Sequence, residues 1–347
     1  MLSKPYKRAQ LHFEDVREIG SDGKNSKTWI VNDVQLGGEI VMKKIAKVDL
    51  PDADEFFDEA KALYATAHQN VVQIHYCCED DDTIFIAMPF YERGSVKGLM
   101  GEKRLTVREI VRLGCQTLTG LHNIHVKGLI HFDIKPDNIL LTKRGEAMLA
   151  DFGLAGRMEL GEATPNGLYL RMAPPEATAG PPFNLSFDIY QIGLTLYRMA
   201  VGSKAFDKQF ARFVPQPGTI DTGKLGNELL AGTFPDRKAF DEHIPARLRK
   251  VIVKCLEPNA ADRYQSALAV TNGLASVAEC LDWRLEDDGV DKVWIKNETG
   301  TQSRFVVHGN GSTIFTVQKD NKQARRKTAL CKPSMTQTQI RKVLKDN

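Results

Sequence analysis

The most constraining feature of the chain is the run at residues 131–141, His-Phe-Asp-Ile-Lys-Pro-Asp-Asn-Ile-Leu-Leu, which is followed by Asp-Phe-Gly at residues 151–153. Asp133 can orient a hydroxyl nucleophile and accept its proton. Lys135, two residues later, can neutralise a phosphoryl group during its transfer. A carboxylate and an ammonium group thus stand two residues apart in one short segment.

Two further residues of the same pattern can bind a divalent metal ion. Asn138 follows Asp133 by five residues and Asp151 follows it by eighteen, which leaves room for a short hairpin between Asn138 and Asp151. Oxygen ligands of these two types hold Mg²⁺ in phosphotransferase sites. The combined pattern therefore predicts phosphotransferase chemistry.

These motifs resemble those of eukaryotic-type (Hanks-type) protein kinases of the serine/threonine kind, and the chain is most similar to soluble bacterial members of that family. The resemblance covers about residues 12–282 and implies an α+β, two-lobed fold. A β-rich N-lobe is expected at about 12–90 and a larger helical C-lobe at about 91–282. Residues 283–347 are expected to form a C-terminal extension with short strands followed by a basic tail.

Composition limits the class of protein. With 347 residues, 42% of them apolar, the chain can bury a large core, and a net charge of +3 indicates no general binding of polyanions. No apolar run approaches the roughly 20 residues of a membrane span, and residues 1–5 lack the apolar core of a signal peptide. We therefore expect a cytoplasmic protein without a membrane partner. The six cysteines lack metal-ligand spacing and are interpreted as reduced thiols, with metal binding as the alternative.

Residues 13–45 are typical of paired strands. In a kinase, the first turn would be the glycine-rich lid over the nucleotide phosphates, and here it carries Gly20 and Gly23. The turn departs from the Gly-x-Gly-x-x-Gly pattern, so an ordinary surface turn is the alternative interpretation.

The strand at residues 40–43, Ile-Val-Met-Lys, matches the family's Val-Ala-Ile-Lys strand. The resemblance makes Lys43 the residue that contacts the α- and β-phosphates of ATP. Its neighbour Lys44 should point to the other face of the sheet, because side chains alternate along a strand.

A helix is expected at residues 52–67, opened by Pro51 and Asp52. The resemblance makes Glu59 the helix glutamate that pairs with Lys43. Glu55 and Asp58 remain alternative partners.

Strands are predicted at residues 71–74 and 83–88, separated by an acidic turn at 79–82 that we interpret as solvated and not as a metal site. The resemblance places Met88 at the back of the adenine pocket. It also implies that residues 89–91 form the hinge between the lobes, and that backbone groups of the hinge after Pro89 bond the adenine edge. The residues implied to contact the nucleotide, besides Lys43 and the two loop glycines, are Val41, Met88, Phe90, Tyr91 and Leu140.

Lys135 favours a serine or threonine acceptor over tyrosine, although Pro-Pro-Glu at residues 174–176 also resembles tyrosine kinases and leaves the acceptor class open. Phe132 replaces the arginine that in many family members pairs with a phosphate on the activation segment. Between Gly153 and Pro174 the only hydroxyl residues are Thr164 and Tyr169. We therefore expect activity without activation-segment phosphorylation.

The C-lobe expectations concern its scaffold. Helices are predicted at residues 95–100 and 107–125, and a loop-rich insert at 203–245. The resemblance implies that Asp188 holds the backbone of the catalytic loop from below, and that Glu176 and Arg263 form a structural ion pair.

Beyond residue 281, short strands are predicted at 292–296, 304–308 and 313–318, forming either a small sheet packed on the kinase or an independent module. The basic tail at 322–345 has three interpretations. It could contact nucleic acid, offer Thr328, Ser334 or Thr336 to the active site as a pseudosubstrate, or be a solvated, partly mobile tail. No other nucleic-acid contact is expected, and the sequence makes no prediction of oligomeric state.

The sequence thus predicts a kinase that uses ATP with Mg²⁺, or with Mn²⁺ as an alternative, to phosphorylate Ser/Thr hydroxyls of protein substrates, itself included. Two alternatives remain. A small-molecule phosphotransferase shares the His-x-Asp pattern but not Asp-Phe-Gly or Pro-Glu, and a pseudokinase scaffold is favoured only by the irregular glycine loop.

Overall fold

The computed structural model describes residues 10–20, 26–49, 64, 67–320 and 322–347. The chain divides into two compact units, Met1–Glu92 and Arg93–Asn347. The described part of the first unit is built on a β-sheet and that of the second mainly on helices. The predicted α+β fold class is therefore confirmed.

The first unit contains an antiparallel sheet of five strands in the order β1-β2-β3-β5-β4. The strands are β1 (Phe13–Gly20), β2 (Ser26–Asp33), β3 (Gly38–Ala46), β4 (Tyr76–Glu79) and β5 (Thr83–Pro89). The prediction of a strand at 71–74 is wrong, because Val71 and Val72 are buried outside the sheet and pairing with β5 begins only at Tyr76. Of the predicted helix at 52–67, residues 52–63, 65 and 66 lie outside the described residues.

The second unit begins with α1 (Val96–Glu102) and α2 (Val107–Val126), as the sequence predicted within one or two residues. Its further helices are α3 (Ser186–Val201), α4 (Ser203–Phe210), α5 (Thr222–Leu230), α6 (Ala246–Cys255) and α7 (Ala267–Ala275). The short strands β6 (Leu129–Ile130) and β9 (Gly156–Arg157) pair with each other, and β7 (Ile139–Leu141) pairs with β8 (Ala147–Leu149). The prediction that 203–245 is a loop-rich insert is wrong where α4 and α5 form, because apolar residues at helical spacing bury one face of each.

Helix α3 is the centre of this unit, since every residue from Phe187 to Val201 is buried. Two glycines permit the close packing around it. A Cβ at Gly193 would lie 2.5 Å from the Cβ of Cys255 in α6, and a Cβ at Gly114 in α2 would lie 2.8 Å from a methyl carbon of Leu196. Larger side chains at either position would force the helices apart.

The predicted ion pair between Glu176 and Arg263 is present. The Arg263 guanidinium donates to both carboxylate oxygens of Glu176 at 2.7 Å, and it also donates to the carbonyl oxygens of Ser186, Glu257 and Pro258. Arg263 is buried, so these five acceptors replace the water that its charge loses on folding. The pair ties residue 176 to the start of α3.

The strands predicted at 292–296, 304–308 and 313–318 are present, and in the C-terminal extension they belong to a five-stranded sheet. Five antiparallel strands pair in sequence order: β10 (Arg284–Asp287), β11 (Lys292–Glu298), β12 (Thr301–Val307), β13 (Thr313–Lys319) and β14 (Arg325–Arg326). A last helix, α8 (Gln337–Asp346), packs its buried Ile340, Val343 and Leu344 against aromatic residues of the sheet. The interpretation of 322–345 as a solvated, partly mobile tail is wrong in part, because β14 and α8 are folded elements, whereas most side chains there are exposed.

Polar contacts join the extension to the rest of the second unit. Lys292 donates to Asp241 at 2.9 Å and to Glu242 at 3.1 Å, while Arg104 donates to the other oxygen of Asp241 at 2.8 Å. The indole Nε1 of Trp294 donates to Nδ1 of His243 at 3.2 Å. Because this bond needs an unprotonated Nδ1, it requires neutral His243.

His243 should make the stability of the protein sensitive to acid. Burial lowers its pKa to about 4, with the Arg104 and Lys292 charges acting in the same direction and Asp241 opposing them. The unfolded chain takes up a proton near the ordinary value of about 6.5, so the stabilising contribution is complete above that pH and is lost as the pH falls towards 4. We expect a loss of about 2 kcal/mol from this residue between pH 7 and pH 5.

The measurement is urea unfolding of the wild-type protein and of His243→Gln at both pH values. Glutamine keeps an acceptor for Trp294 but does not titrate. The variant should lose less stability on acidification than the wild type, and an equal loss would show that His243 does not carry the effect.

Candidate active site

The buried carboxylate of Asp188 in α3 holds the start of the catalytic loop, residues 131–138. Oδ2 of Asp188 accepts a hydrogen bond from the backbone amide of His131 at 2.8 Å, and Oδ1 accepts one from the amide of Phe132 at 2.9 Å. Nε2 of His125 lies 2.8 Å from Oδ2. Asp188 is fully buried, so these partners replace its hydration and hold the loop backbone in one position.

The loop backbone is strained at the point where Asp188 holds it. Phe132 has a φ of +63°, which lies in the left-handed region that residues with a side chain rarely adopt. Such a conformation costs on the order of 1 kcal/mol and persists only where surrounding contacts fix it. The hydrogen bonds from the His131 and Phe132 amides to Asp188 supply those contacts.

Two further residues of α3 support the loop and were missed in the sequence. Gln191 accepts a bond from the Ile134 amide at 2.9 Å and donates to the Phe132 carbonyl at 2.8 Å. The hydroxyl of Thr195 donates to the Ile134 carbonyl at 3.2 Å. The spacing of three and then four residues from Asp188 puts all of them on one helix face, which is the signal that could have identified them.

Asp133 lies at the centre of this loop and is buried. Its Oδ2 accepts hydrogen bonds from Nζ of Lys135 and Nδ2 of Asn138, both at 2.8 Å, and Nδ2 also donates to the Asp133 carbonyl at 2.9 Å. In the described part of the chain, Oδ1 has no hydrogen-bond partner. A buried carboxylate oxygen without a donor is costly, so Oδ1 is suited to accept a bond from an incoming hydroxyl.

Lys135 remains a cation next to this carboxylate. Burial lowers its pKa, but the charges of Asp133 and Asp151 and the bond to Asp133 more than offset that effect, and the pKa is raised overall. The ammonium group also lies 4.3 Å from the ring centroid of Tyr169. Lys135 is therefore a fixed positive charge beside Asp133 at neutral pH.

Asn138 and Asp151 are brought to the same end of a hairpin. Asn138 directly precedes β7, Asp151 follows β8 by two residues, and the amide of Ala150 donates to the Asn138 carbonyl at 2.9 Å. Because the Asn138 amide nitrogen is used on Asp133, its side-chain oxygen remains as the ligand atom. An amide oxygen and the exposed carboxylate of Asp151 fit Mg²⁺, which prefers oxygen ligands.

No group of three or more His, Cys, Asp or Glu side chains in the described ranges is arranged to hold a metal ion. None of the six cysteines, all of which are described, forms a disulfide. In the same part of the chain no helix combines the length and apolarity that crossing a bilayer requires.

In the first unit, the sheet groups three of the predicted nucleotide residues. Val41 pairs directly with Met88 and Lys43 pairs with Ile86, so Val41, Lys43 and Met88 share one face. The Nζ of Lys44 contacts Asp15 on the other face, at 2.5 and 2.7 Å. The alternation predicted for the two lysines is therefore present.

For the other residues predicted to contact the nucleotide, the structure gives only the secondary-structure element in or next to which each lies, or does not describe the residue. Phe90 and Tyr91 follow the end of β5, and Leu140 lies in β7 of the second unit. Gly20 is the last residue of β1, whereas Gly23 and Glu59 lie outside the described residues. The nucleotide contacts stay predictions for these positions and equally for Val41, Lys43 and Met88.

Comparison with known sequences identifies the class of protein. The sequence model of the protein kinase domain matches residues 13–273. A probable serine/threonine-protein kinase of Clostridium acetobutylicum is 26% identical over 295 residues, covering 82% of this chain and 42% of that protein. The serine/threonine-protein kinase PrkC of Bacillus subtilis is 25% identical over 269 residues, covering 75% of this chain and 40% of that protein.

A third relative, the serine/threonine-protein kinase PknD of Chlamydia abortus, is 24% identical over 295 residues, which cover 75% of this chain and 30% of that protein. The match of the domain model extends over most of the sequence. The chain therefore belongs to the protein kinase family, as its motifs predicted. It spans less than half the length of these three curated relatives.

Removing the Asp188 charge should destabilise the second unit. In Asp188→Asn, an amide NH₂ would face at least one of the two backbone amides, and a buried donor would be left unpaired. We expect a loss of about 1–3 kcal/mol in the free energy of unfolding. Urea unfolding of this variant, compared with Asp81→Asn in the exposed turn of the first unit, measures the effect, and equal stability of both variants would contradict it.

Proposed function

We propose that the protein transfers the γ-phosphoryl group of ATP, with Mg²⁺, to serine or threonine hydroxyls of protein substrates, itself included. The observation that carries this proposal is the state of Asp133. One carboxylate oxygen is held by Lys135 and Asn138, and the other is buried without a partner among the described residues. That arrangement suits a group that orients a hydroxyl and takes its proton.

The remaining roles are those that the family resemblance implies, and the charges of the residues suit them. Lys135 neutralises the transferring phosphoryl group, and Lys43 holds the other phosphates from the face of β3 that it shares with Val41. Asn138 and Asp151 would hold Mg²⁺, which neutralises charge on the phosphate oxygens when bound. Catalysis of this kind depends on positioning and on fixed charges. A cytoplasmic location, where ATP is available, is part of the proposal.

The test is transfer of labelled phosphate from Mg-ATP by the purified protein, beside Asp133→Asn. Loss of the acceptor carboxylate should reduce the rate about 100-fold or more. ATP binding should persist, because Asp133 orients the acceptor. Mapping of the modified residues then decides between serine or threonine and tyrosine acceptors.

Asp81→Asn is the matched control, since it makes the same chemical change in an exposed turn. Equal labelling by the wild type and Asp133→Asn would contradict the proposal. Binding of ATP without transfer to any protein would favour a pseudokinase scaffold. Transfer only to small molecules would favour a small-molecule phosphotransferase. The Glu176–Arg263 pair, which the sequence associated with protein kinases, argues against that last class.

We also propose that the protein is active without a phosphate on its activation segment, residues 154–174. Apolar contacts hold the segment in place of a phosphate. The buried ring of Phe132 lies 5.0 Å from the Phe187 ring and 6.2 Å from the Phe183 ring. Ala163 and Phe183 exchange two backbone hydrogen bonds at 2.8 and 2.9 Å, which fix the segment to this aromatic group. Thr164 itself is exposed.

Thr164→Ala should therefore keep its activity within about twofold, because exposed substitutions away from fixed contacts change little. The measurement is kcat on a protein substrate, using enzyme whose phosphorylation at residue 164 has been determined by mass spectrometry. A large loss in the alanine variant, matched by dephosphorylation of the wild type, would contradict phosphate-independent activity.

A further inference from the structure

Next to the catalytic loop, the second unit holds a group of charged residues that the proposed chemistry does not use. We name it the Arg198 cluster. Its members are Lys97 in α1, Asp137 in the catalytic loop, Arg171 in the short helix Leu170–Met172, Arg198 in α3 and Asp207 in α4. Three cations therefore face two carboxylates.

Arg198 is buried, with 4% of its surface exposed, yet its charge is poorly compensated. The nearest carboxylate oxygen is Oδ2 of Asp137 at 3.9 Å, and Nη1 contacts the sulfur of Met172 at 3.7 Å. Its Nε has no hydrogen-bond partner among the described residues. A buried guanidinium usually has oxygen acceptors at hydrogen-bond distance, so Arg198 lacks the partner that its burial demands.

Arg171 repeats this pattern closer to the surface. Its Nη2 forms an ion pair with the exposed Asp207, but its buried Nε has no partner in the described part of the chain. The guanidinium carbons of Arg171 and Arg198 lie 5.4 and 5.1 Å from the ring centroid of Phe206. The ring fixes both cations in place without neutralising them.

The cluster lies close to the site of phosphoryl transfer. Asp137 is two residues from Lys135, and Arg171 is two residues from Tyr169, whose ring centroid lies 4.3 Å from the Lys135 ammonium. Lys97 forms an ion pair with Asp137, and its side chain is half exposed. A peptide whose hydroxyl reaches Asp133 would therefore pass near these cations.

We propose that the Arg198 cluster selects protein substrates that carry an anionic side chain near the acceptor hydroxyl. An anion next to the partly exposed side chains of Arg171 and Lys97 would balance the third positive charge of the cluster. Aspartate, glutamate and a phosphorylated residue share this chemistry. The inference rests on the proposed function, since it names the substrate class of the same site.

The experiment compares kcat/KM for a set of peptides with one central serine and otherwise neutral residues. Each flanking position in turn carries aspartate, glutamate, phosphoserine, glutamine or lysine. At one or more positions the anionic peptide should be preferred over the glutamine peptide about tenfold, mainly through KM. The preference should weaken as salt is added.

Two variants assign the preference to the cluster. Arg171→Gln and Lys97→Gln change partly exposed side chains, whereas replacement of buried Arg198 endangers the fold. Each should reduce the anionic preference about threefold or more, and the loss with the anionic peptide should exceed the loss with the glutamine peptide. Arg304→Gln, a change of the same kind on the exposed sheet of the extension, should leave both values unchanged.

Binding of the same labelled peptides to Asp133→Asn, alone and combined with Arg171→Gln, gives a second readout that needs no turnover. Transfer without an anionic preference, or a preference that survives both variants, would overturn the role of the cluster and leave the proposed function intact. Absence of transfer to every peptide would contradict the proposed function. The binding measurement then decides the role of the cluster separately.

Discussion

The arrangement of the active site depends on the hydrogen bonds that the carboxylate of Asp188 accepts from the catalytic loop. It lies in α3, the most completely buried helix of the second unit, and accepts hydrogen bonds from two consecutive backbone amides of the catalytic loop. An ionised acceptor strengthens both bonds, and burial prevents water from competing for them. These bonds hold Phe132 in its left-handed backbone conformation. The position of the next residue, Asp133, is therefore set by the buried helix.

A single face of α3 serves both the chemistry and the proposed selection of substrates. Asp188, Gln191, Thr195 and Arg198 follow one another at intervals of three, four and three residues, which is the spacing of one helix face. The first three hold the loop backbone, and the fourth carries the under-compensated charge beside Asp137. Because the helix is rigidly packed, the positions of Asp133 and of the Arg198 cluster are fixed relative to each other.

The sequence predicted the parts of the fold and site that rest on local spacing. The residues Asp133, Lys135, Asn138 and Asp151 could be named because a short loop and a hairpin bring them together, and Glu176 and Arg263 because the family resemblance includes them. Gln191, Thr195 and Arg198 share a helix face with Asp188, which is a signal in the sequence, but spacing alone does not show the segments about 60 residues away that they contact.

The extension was predicted least well, for a related physical reason. Its outer strand β14 has only two residues and therefore no strand pattern. Helix α8 does have apolar residues at helical spacing, Ile340, Val343 and Leu344, but the many basic residues around them are the dominant feature of the sequence. Both are stabilised by tertiary contacts, such as the bond from Nε1 of Trp283 to the Leu344 carbonyl at 2.8 Å. The many basic residues therefore favoured the prediction of a free tail. In the structure, packing against aromatic residues of the sheet stabilises a helix there.

The central claim is that the bonds from Asp188 to the loop backbone are what place Asp133 for phosphoryl transfer. The most direct measurement is single-turnover transfer by Asp188→Asn, made in conditions where circular dichroism shows the variant folded, together with its ATP affinity. We expect the transfer step to slow at least tenfold while ATP affinity is retained, because the misplaced group acts only in the transfer step. A folded variant that transfers phosphate at the wild-type rate would contradict the account.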